Sequence, residues 1–142
     1  MIVASIQARL GSTRLPRKAL ADIGGAPALA RLIRRLKRAK TLDAIVLATP
    51  DAELADLAKA EGIRFFIGSE TDVLGRLVDA HRMMGTEIVV QCWGDSPFVD
   101  PEVVDMAVLA FQMNDADVVT DTCKLAFPAG VGVSVFSRAK LE

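Results

Sequence analysis

Short apolar runs alternate with stretches of helical periodicity along this chain, and that alternation leaves few folds open to it. Strand-like runs fall at Ile2–Ile6, Ala44–Ala48, Arg64–Ile67, Glu87–Gln91, Asp117–Thr120 and Val131–Phe136. Between them, Pro27 follows a Gly24-Gly25 turn and opens a helix, with Leu29, Leu32, Ile33 and Leu36 on one face and arginines opposite. Asp51 to Glu61 predicts a second helix, with Leu54, Leu57 and Ala58 inward and Gly62 as its stop. Asp72 to Met84 predicts a third, with Val73, Leu77, Ala80 and Met84 on one stripe. Pro101 opens a fourth, through Val103, Met106, Ala107 and Ala110. The pattern implies an α/β fold with a mostly parallel, doubly wound sheet, which binds ligands beyond the carboxyl ends of its strands.

At 142 residues the chain has the size of one domain and can bury a real core. Its net charge of −1 conceals an asymmetry. Residues 1–40 carry ten Lys or Arg and one acid, Asp22, whereas the remainder carries seven cations and seventeen acids. A basic segment facing an acidic remainder suits a polyanion held with a metal ion, although Arg31 to Lys40 reads first as a basic helix surface. The absence of Tyr, the single Trp and the acidic remainder argue against a nucleic-acid partner. Cys92 and Cys123 lie in apolar, strand-like contexts, as expected of buried thiols in a reducing compartment. Neither has metal-ligand spacing, and His81, the only histidine, falls among helix residues, so neither a zinc site nor a Ser-His-Asp triad is expected. With no leader-like N-terminus and no apolar run near ~18 residues, the expectation is a cytoplasmic protein without a membrane partner.

The segment with the most chemistry is Ala8-Arg9-Leu10-Gly11-Ser12-Thr13-Arg14-Leu15-Pro16-Arg17-Lys18, directly after the first strand. It offers backbone N–H groups and several cations to a polyphosphate. Its spacing matches neither GxxxxGK[ST] nor GxGxxG. A second segment, Trp93-Gly94-Asp95-Ser96-Pro97-Phe98-Val99-Asp100-Pro101, pairs with it. Gly94 permits a sharp turn, and Asp95 projects into the cleft where a carboxylate can hold Mg²⁺ together with substrate phosphates. Asp100 before Pro101 reads as a helix cap. In a third segment, Gly68 to Arg76, Ser69 or Asp72 caps a helix. Arg76, one turn in, either reaches the cleft or is a solvated surface residue.

Ile6-Gln7-Ala8-Arg9-Leu10-Gly11-Ser12-Thr13-Arg14-Leu15-Pro16, followed by Lys18, resembles the N-terminal signature of the cytidylyltransferases that activate sugar acids, the acylneuraminate and 3-deoxy-manno-octulosonate enzymes among them. Gly68–Arg76, Gly94–Pro101 and Phe127-Pro128-Ala129-Gly130 are most similar to the branch called spore coat polysaccharide biosynthesis proteins. The resemblance is collinear over the whole chain. It implies a nucleotide-diphospho-sugar-transferase (GT-A-like) fold, with residues 1–142 as the N-terminal nucleotide-binding part of a longer domain. It implies that Ala8, Arg9, Gly11, Ser12, Arg14 and Lys18 bind CTP, with Arg9, Arg14 and Lys18 on phosphates. It further implies that Arg76 contacts the nucleotide and that Asp95 binds Mg²⁺. Arg9, Lys18 and Asp95 are then the catalytic candidates.

The chain departs from that pattern. Arg17 replaces a glycine, Ala26 replaces a lysine, and Trp93 replaces a small or polar residue. Gly132 and Ser134 stand where the branch reads acids in Gly-Leu-Asp-Val-Glu-Val-Phe. At the end of the chain, Ser137 to Glu142 reads as a Ser cap and the first turn of a helix that the sequence does not complete.

The expected activity is transfer of CMP from CTP to a sugar acid or related sugar, for surface polysaccharide or glycan biosynthesis. The resemblance also implies a possible homodimer. The alternative is a nucleotide-binding module without transferase activity, which the missing acids favour.

Overall fold

The computed structural model describes residues 1–121 and 127–142. One six-stranded sheet organises them, in the order β3-β2-β1-β4-β6-β5. The strands are β1 (Ile2–Gln7), β2 (Ala44–Thr49), β3 (Arg64–Ile67), β4 (Ile88–Trp93), β5 (Val118–Thr120) and β6 (Ser134–Ser137). The helices are α1 (Ala28–Leu36), α2 (Ala52–Ala60), α3 (Val73–Met84) and α4 (Pro101–Met113).

β1 to β4 are mutually parallel, as the strand–helix alternation predicts. β6 is the exception: it runs antiparallel between β4 and β5, with Val90 opposite Val135 and Val119 opposite Val135. A parallel neighbour would need a crossover connection, usually a helix, and none lies between β5 and β6 among the described residues. The ends of β4 and β6 also differ from the expectation: β4 continues to Trp93, and β6 begins only at Ser134.

The larger core packs Leu29, Leu32, Ile33 and Leu36 of α1, Leu54 of α2 and Val104 and Val108 of α4 against Ala4, Ile6, Leu47 and Val90. The opposite face is covered by α3, whose Leu77 and Ala80 pack on Val3, Val46 and Ala48. Four sequence assignments change, the first being Val73, which is exposed rather than part of the buried stripe of α3. Met106 faces outward, since Val104 and Val108 hold the buried stripe of α4. Pro27 lies just before α1 in an extended conformation rather than in its first turn. Ser137 ends β6 and caps nothing; the residues after it form a short 3-10 turn, Arg138–Lys140, tied by Arg138 and Arg82 to Glu142.

The arginine-rich α1 is more than a solvated face. Arg31 holds the Ile23 and Gly24 carbonyls, Arg34 pairs with Glu61, and Arg35 donates to the Val99 carbonyl at 2.7 Å. His81 is wholly buried, with Nδ1 3.0 Å from the Thr86 hydroxyl, and burial lowers its pKa to about 4. Cys92 is a buried free thiol whose pKa burial pushes up to about 12, so it is chemically quiet. Cys123 lies outside the described residues.

Candidate functional site

The strand order brings the carboxyl ends of β2, β1 and β4 side by side, with Gln7 opposite both Ala48 and Trp93. β1 is followed into β2 on one side and bordered by β4 on the other, so its exit is a switch point of the sheet. A cleft of about 600 Å³ opens there. Of the residues singled out in the sequence, Ala8, Arg9, Ser12, Arg14, Lys18, Arg76 and Asp95 line it. Gly11 lies in the same loop but does not line the cleft.

The loop after β1 is folded on itself. The Leu10 carbonyl accepts from Ser12 N at 2.8 Å and from Arg17 N at 3.1 Å, and Leu15 N leans on the Ser12 hydroxyl. Gly11, Thr13 and Arg14 keep amides without an internal partner among the described residues. Sequence reasoning missed the anchor of this loop. Asp51 does not cap α2 with its side chain; its carboxylate accepts from Leu10 N at 2.8 Å. The signal was available in the topology, because Asp51 directly follows the strand beside β1.

Arg17 has φ 56, the one positive φ outside glycine among the described residues. The position is left-handed, which accounts for the glycine the resemblance leads one to expect there. Arg17 occupies it at a cost of about 1 kcal/mol and pairs with Glu53 at 2.5 Å on the surface.

Gly94 is required for a different reason from the sharp turn expected. Its φ is not left-handed. Instead a Cβ there would stand 2.6 Å from the Gln7 carbonyl oxygen and 2.6 Å from Ala8 Cβ. The β4 exit therefore presses directly on the β1 exit, and Gly94 N donates to that same Gln7 oxygen at 2.8 Å. This contact sets Asp95 beside the basic loop: Lys18 Nζ lies 2.8 Å from Asp95 Oδ2. The hydrogen bond from Lys18 holds the Asp95 carboxyl below the usual range. Asp100 caps α4, accepting from Glu102 N, as expected.

Arg76 is no surface residue: it is 3% exposed. Asp72 caps α3 by accepting from Gly75 N at 2.8 Å. Gly68 leaves room for the arginine stem, since a Cβ there would meet Arg76 Cγ at 2.9 Å. One Arg76 nitrogen donates to the Ser69 carbonyl, while Nε has no partner. Burial, and then the nearby Arg9, disfavour its charged form. Among the described residues Arg9 and Arg14 make no side-chain hydrogen bond or ion pair, so of the cleft's cations Lys18 alone has a carboxylate partner. The cleft is electrostatically prepared for an anion.

The other departures also have structural counterparts. Trp93 lines the cleft, whereas Ala26 is buried and does not. The Asp121 carboxylate occupies the space a Cβ of Gly132 would take, and Ser134 donates to the Thr120 hydroxyl at 3.1 Å. No described helix is long and apolar enough to cross a membrane.

A family model described as Cytidylyltransferase matches residues 3–140. The chain is 39% identical over 117 residues to the spore coat polysaccharide biosynthesis protein SpsF of Bacillus subtilis, covering 77% of this chain and 49% of that protein. It is 37% identical over 117 residues to the 3-deoxy-manno-octulosonate cytidylyltransferase of Geobacter sulfurreducens, covering 81% and 47%. The chain thus spans about half the length of the curated relatives it matches. Among solved structures, a cytidylyltransferase from Leptospira borgpetersenii superposes with a TM-score of 0.90 at 31% identity, over 99% of this chain and 61% of that one. A CMP:2-keto-3-deoxy-manno-octonic acid synthetase shares the fold, with a TM-score of 0.81 at 21% identity over 99% and 75%. With its family signature seated on this α/β sheet, the chain belongs to the cytidylyltransferase family.

Proposed function

We propose that the cleft binds CTP and that the protein transfers CMP to a hydroxyl of a sugar acid, releasing pyrophosphate. The observation that carries this reading is the set of cations around one cleft with a single carboxylate partner between them, Asp95 on Lys18. Arg9, Arg14 and Lys18 take the triphosphate, assisted by the loop amides, and Arg76 supports the nucleotide from the α3 side. The acceptor class is taken from the relatives, since one is named a 3-deoxy-manno-octulosonate cytidylyltransferase and another a spore coat polysaccharide biosynthesis protein.

In the reaction the acceptor oxygen bonds to the α-phosphorus in line, and the bond from that phosphorus to the bridging oxygen of pyrophosphate breaks. The hydroxyl proton leaves to solvent or to the acceptor's own carboxylate. The protein positions the groups and offsets negative charge that builds on the departing pyrophosphate.

Asp95 is the residue that would hold Mg²⁺. Its side chain is 48% exposed and spends one oxygen on Lys18. No cluster of three or more His, Cys, Asp or Glu that could hold an ion exists among the described residues. That donor set fits a cation that takes most ligands from water and phosphate. When bound, the ion would supply Lewis-acid polarisation of the phosphates.

Gly132 and Ser134 favour a second reading, nucleotide binding without turnover, because neither position presents an acid. Pyrophosphate release with CTP, Mg²⁺ and a panel of sugar acids separates the two. Turnover that Asp95→Ala abolishes supports transfer; CTP binding with no turnover on any acceptor supports the second. Arg14→Ala is expected to weaken CTP by about 1–3 kcal/mol, and unchanged affinity would refute its place on the phosphates.

A further inference from the structure

The cleft has two unlike sides. Of the charged side chains that line it, Arg9, Arg14 and Lys18 come from the segment after β1, and Glu70 and Arg76 from the β3–α3 side. The β4 exit supplies one charge, Asp95, and the one aromatic ring of the lining, Trp93. Trp93 ends β4 opposite Gln7. Val3 packs under α3, and alternation along β1 and β4 puts Gln7 and Trp93 on that same face of the sheet. Two residues back on this face, Gln91 pairs with Ser134, both half-buried and uncharged. The indole is 36% exposed, and its Nε1–H makes no hydrogen bond among the described residues. Its neighbour Gly94 is pressed onto Gln7 and Ala8, which fixes the ring at the wall of the cleft.

A large, amphipathic ring held at a cleft wall with its N–H unused is a surface for a ligand. Two groups compete for it, the cytosine and the acceptor. The charged groups proposed to hold the nucleotide lie on the β1 and β3–α3 side. Trp93 instead stands two residues before Asp95, which is proposed to hold the ion at the phosphates. In-line attack brings the acceptor to the α-phosphorus from the side away from pyrophosphate, and the uncharged wall of the β4 exit is the one left for it.

We infer that Trp93 selects the acceptor by stacking on the C–H face of its sugar ring, with the indole N–H donating to an acceptor oxygen. This rests on the reading of the cleft as a CTP site. It gives the Trp93 departure a meaning: an aromatic face recognises the acceptor where the family resemblance leads one to expect a small or polar side chain. The substrate class is then a cyclic sugar acid, and an open-chain hydroxy acid is refused.

Trp93 is the only tryptophan of the chain, which has no tyrosine, so intrinsic fluorescence reports on this position directly. The parent is titrated, with Mg²⁺, first with the uncleavable α,β-methylene analogue of CTP. With that analogue bound, it is titrated with 3-deoxy-manno-octulosonate, N-acetylneuraminate and gluconate. Expected is an emission change with at least one of the two ring acids and none with gluconate or with the analogue alone. Calorimetry on Trp93→Thr and Trp93→Phe completes the test. The Thr variant should bind that ring acid roughly tenfold more weakly, and the Phe variant within about threefold of the parent. Both should bind the analogue as the parent does, which also shows them folded. An emission change produced by the analogue alone would overturn the inference and put the indole on the nucleoside. Emission that no ligand moves, or a Thr variant that binds the ring acid as the parent does, would overturn it as well. A parent that binds no analogue in the calorimeter would overturn the CTP reading itself, and the inference with it.

Discussion

Replacing Gly94 by alanine tests how the two loops of the cleft are held together. The added Cβ would stand 2.6 Å from the Gln7 carbonyl oxygen and 2.6 Å from Ala8 Cβ, and 3.1 Å from Ala8 Cα. Ordinary contact begins near 3.4 Å, so the β1 and β4 exits must separate by about 0.8 Å. Neither neighbour is the far end of a flexible side chain, so the strain falls on the backbone. Overpacking of this kind costs about 1–3 kcal/mol. The Gly94 N to Gln7 O hydrogen bond, now 2.8 Å, is stretched as well, and its loss adds about 1 kcal/mol. The total of about 2–4 kcal/mol corresponds to a fall in Tm of roughly 5–15 °C for a domain of this size. Thermal unfolding followed by circular dichroism measures it. Gly11→Ala is the control, because its Cβ meets only the end of the Glu70 side chain, at 3.4 Å; it is expected to stay within about 0.5 kcal/mol of the parent. A Gly94→Ala protein melting within about 2 °C of the parent would refute the reasoning that these exits are in obligatory contact.

Other consequences follow from groups outside the cleft. His81 is buried and neutral, with its pKa lowered to about 4 from 6.5, so between those values the unfolded chain binds one more proton than the folded one. Stability is therefore full above about pH 6.5 and falls by about 3 kcal/mol toward pH 4; urea unfolding across that window should show the slope, and His81→Gln should remove it. Gly132→Ala puts a Cβ where the tip of the Asp121 side chain lies; because that tip can swing aside, the cost is expected to stay within about 0.5 kcal/mol, and a loss of more than about 1 kcal/mol in urea denaturation would refute this reading of the contact.

The parallel half of the sheet was legible because each strand is followed by a stretch of helical periodicity marked off by turn or capping residues, such as Gly24-Gly25, Gly62, Asp72 and Asp100-Pro101. The direction of β6 was not, since a strand's apolar pattern carries no polarity; direction depends on whether the connection crosses over. α4 shows a related limit. Val103, Val104, Met106, Ala107 and Val108 admit more than one apolar face, and only packing against Leu36 and β6 settles that Val104 and Val108 are inside. In the cleft, the cations Arg9, Arg14 and Lys18 and the carboxylate Asp95 stood out because they follow strand ends, whereas Ala8 and Ser12 were named only through the family resemblance; all six line the cleft. Asp51 and Glu70 were missed because each looks like an ordinary residue near a helix start, and their part in the cleft comes from strand order rather than local pattern. Arg76 was ambiguous in sequence, as burial of an arginine depends on the room that Gly68 leaves for its stem.

The central claim is that this cleft takes CTP. Thermal unfolding with Mg²⁺ and, separately, CTP, UTP, ATP and GTP tests it most directly. Binding to the folded state alone raises stability by ~2.7 kcal/mol at a hundredfold excess over Kd, or roughly 5–11 °C in Tm. The account predicts a shift of that size with CTP and a smaller one with each of the other three. No shift with any nucleotide, or an equal shift with all of them, would contradict it.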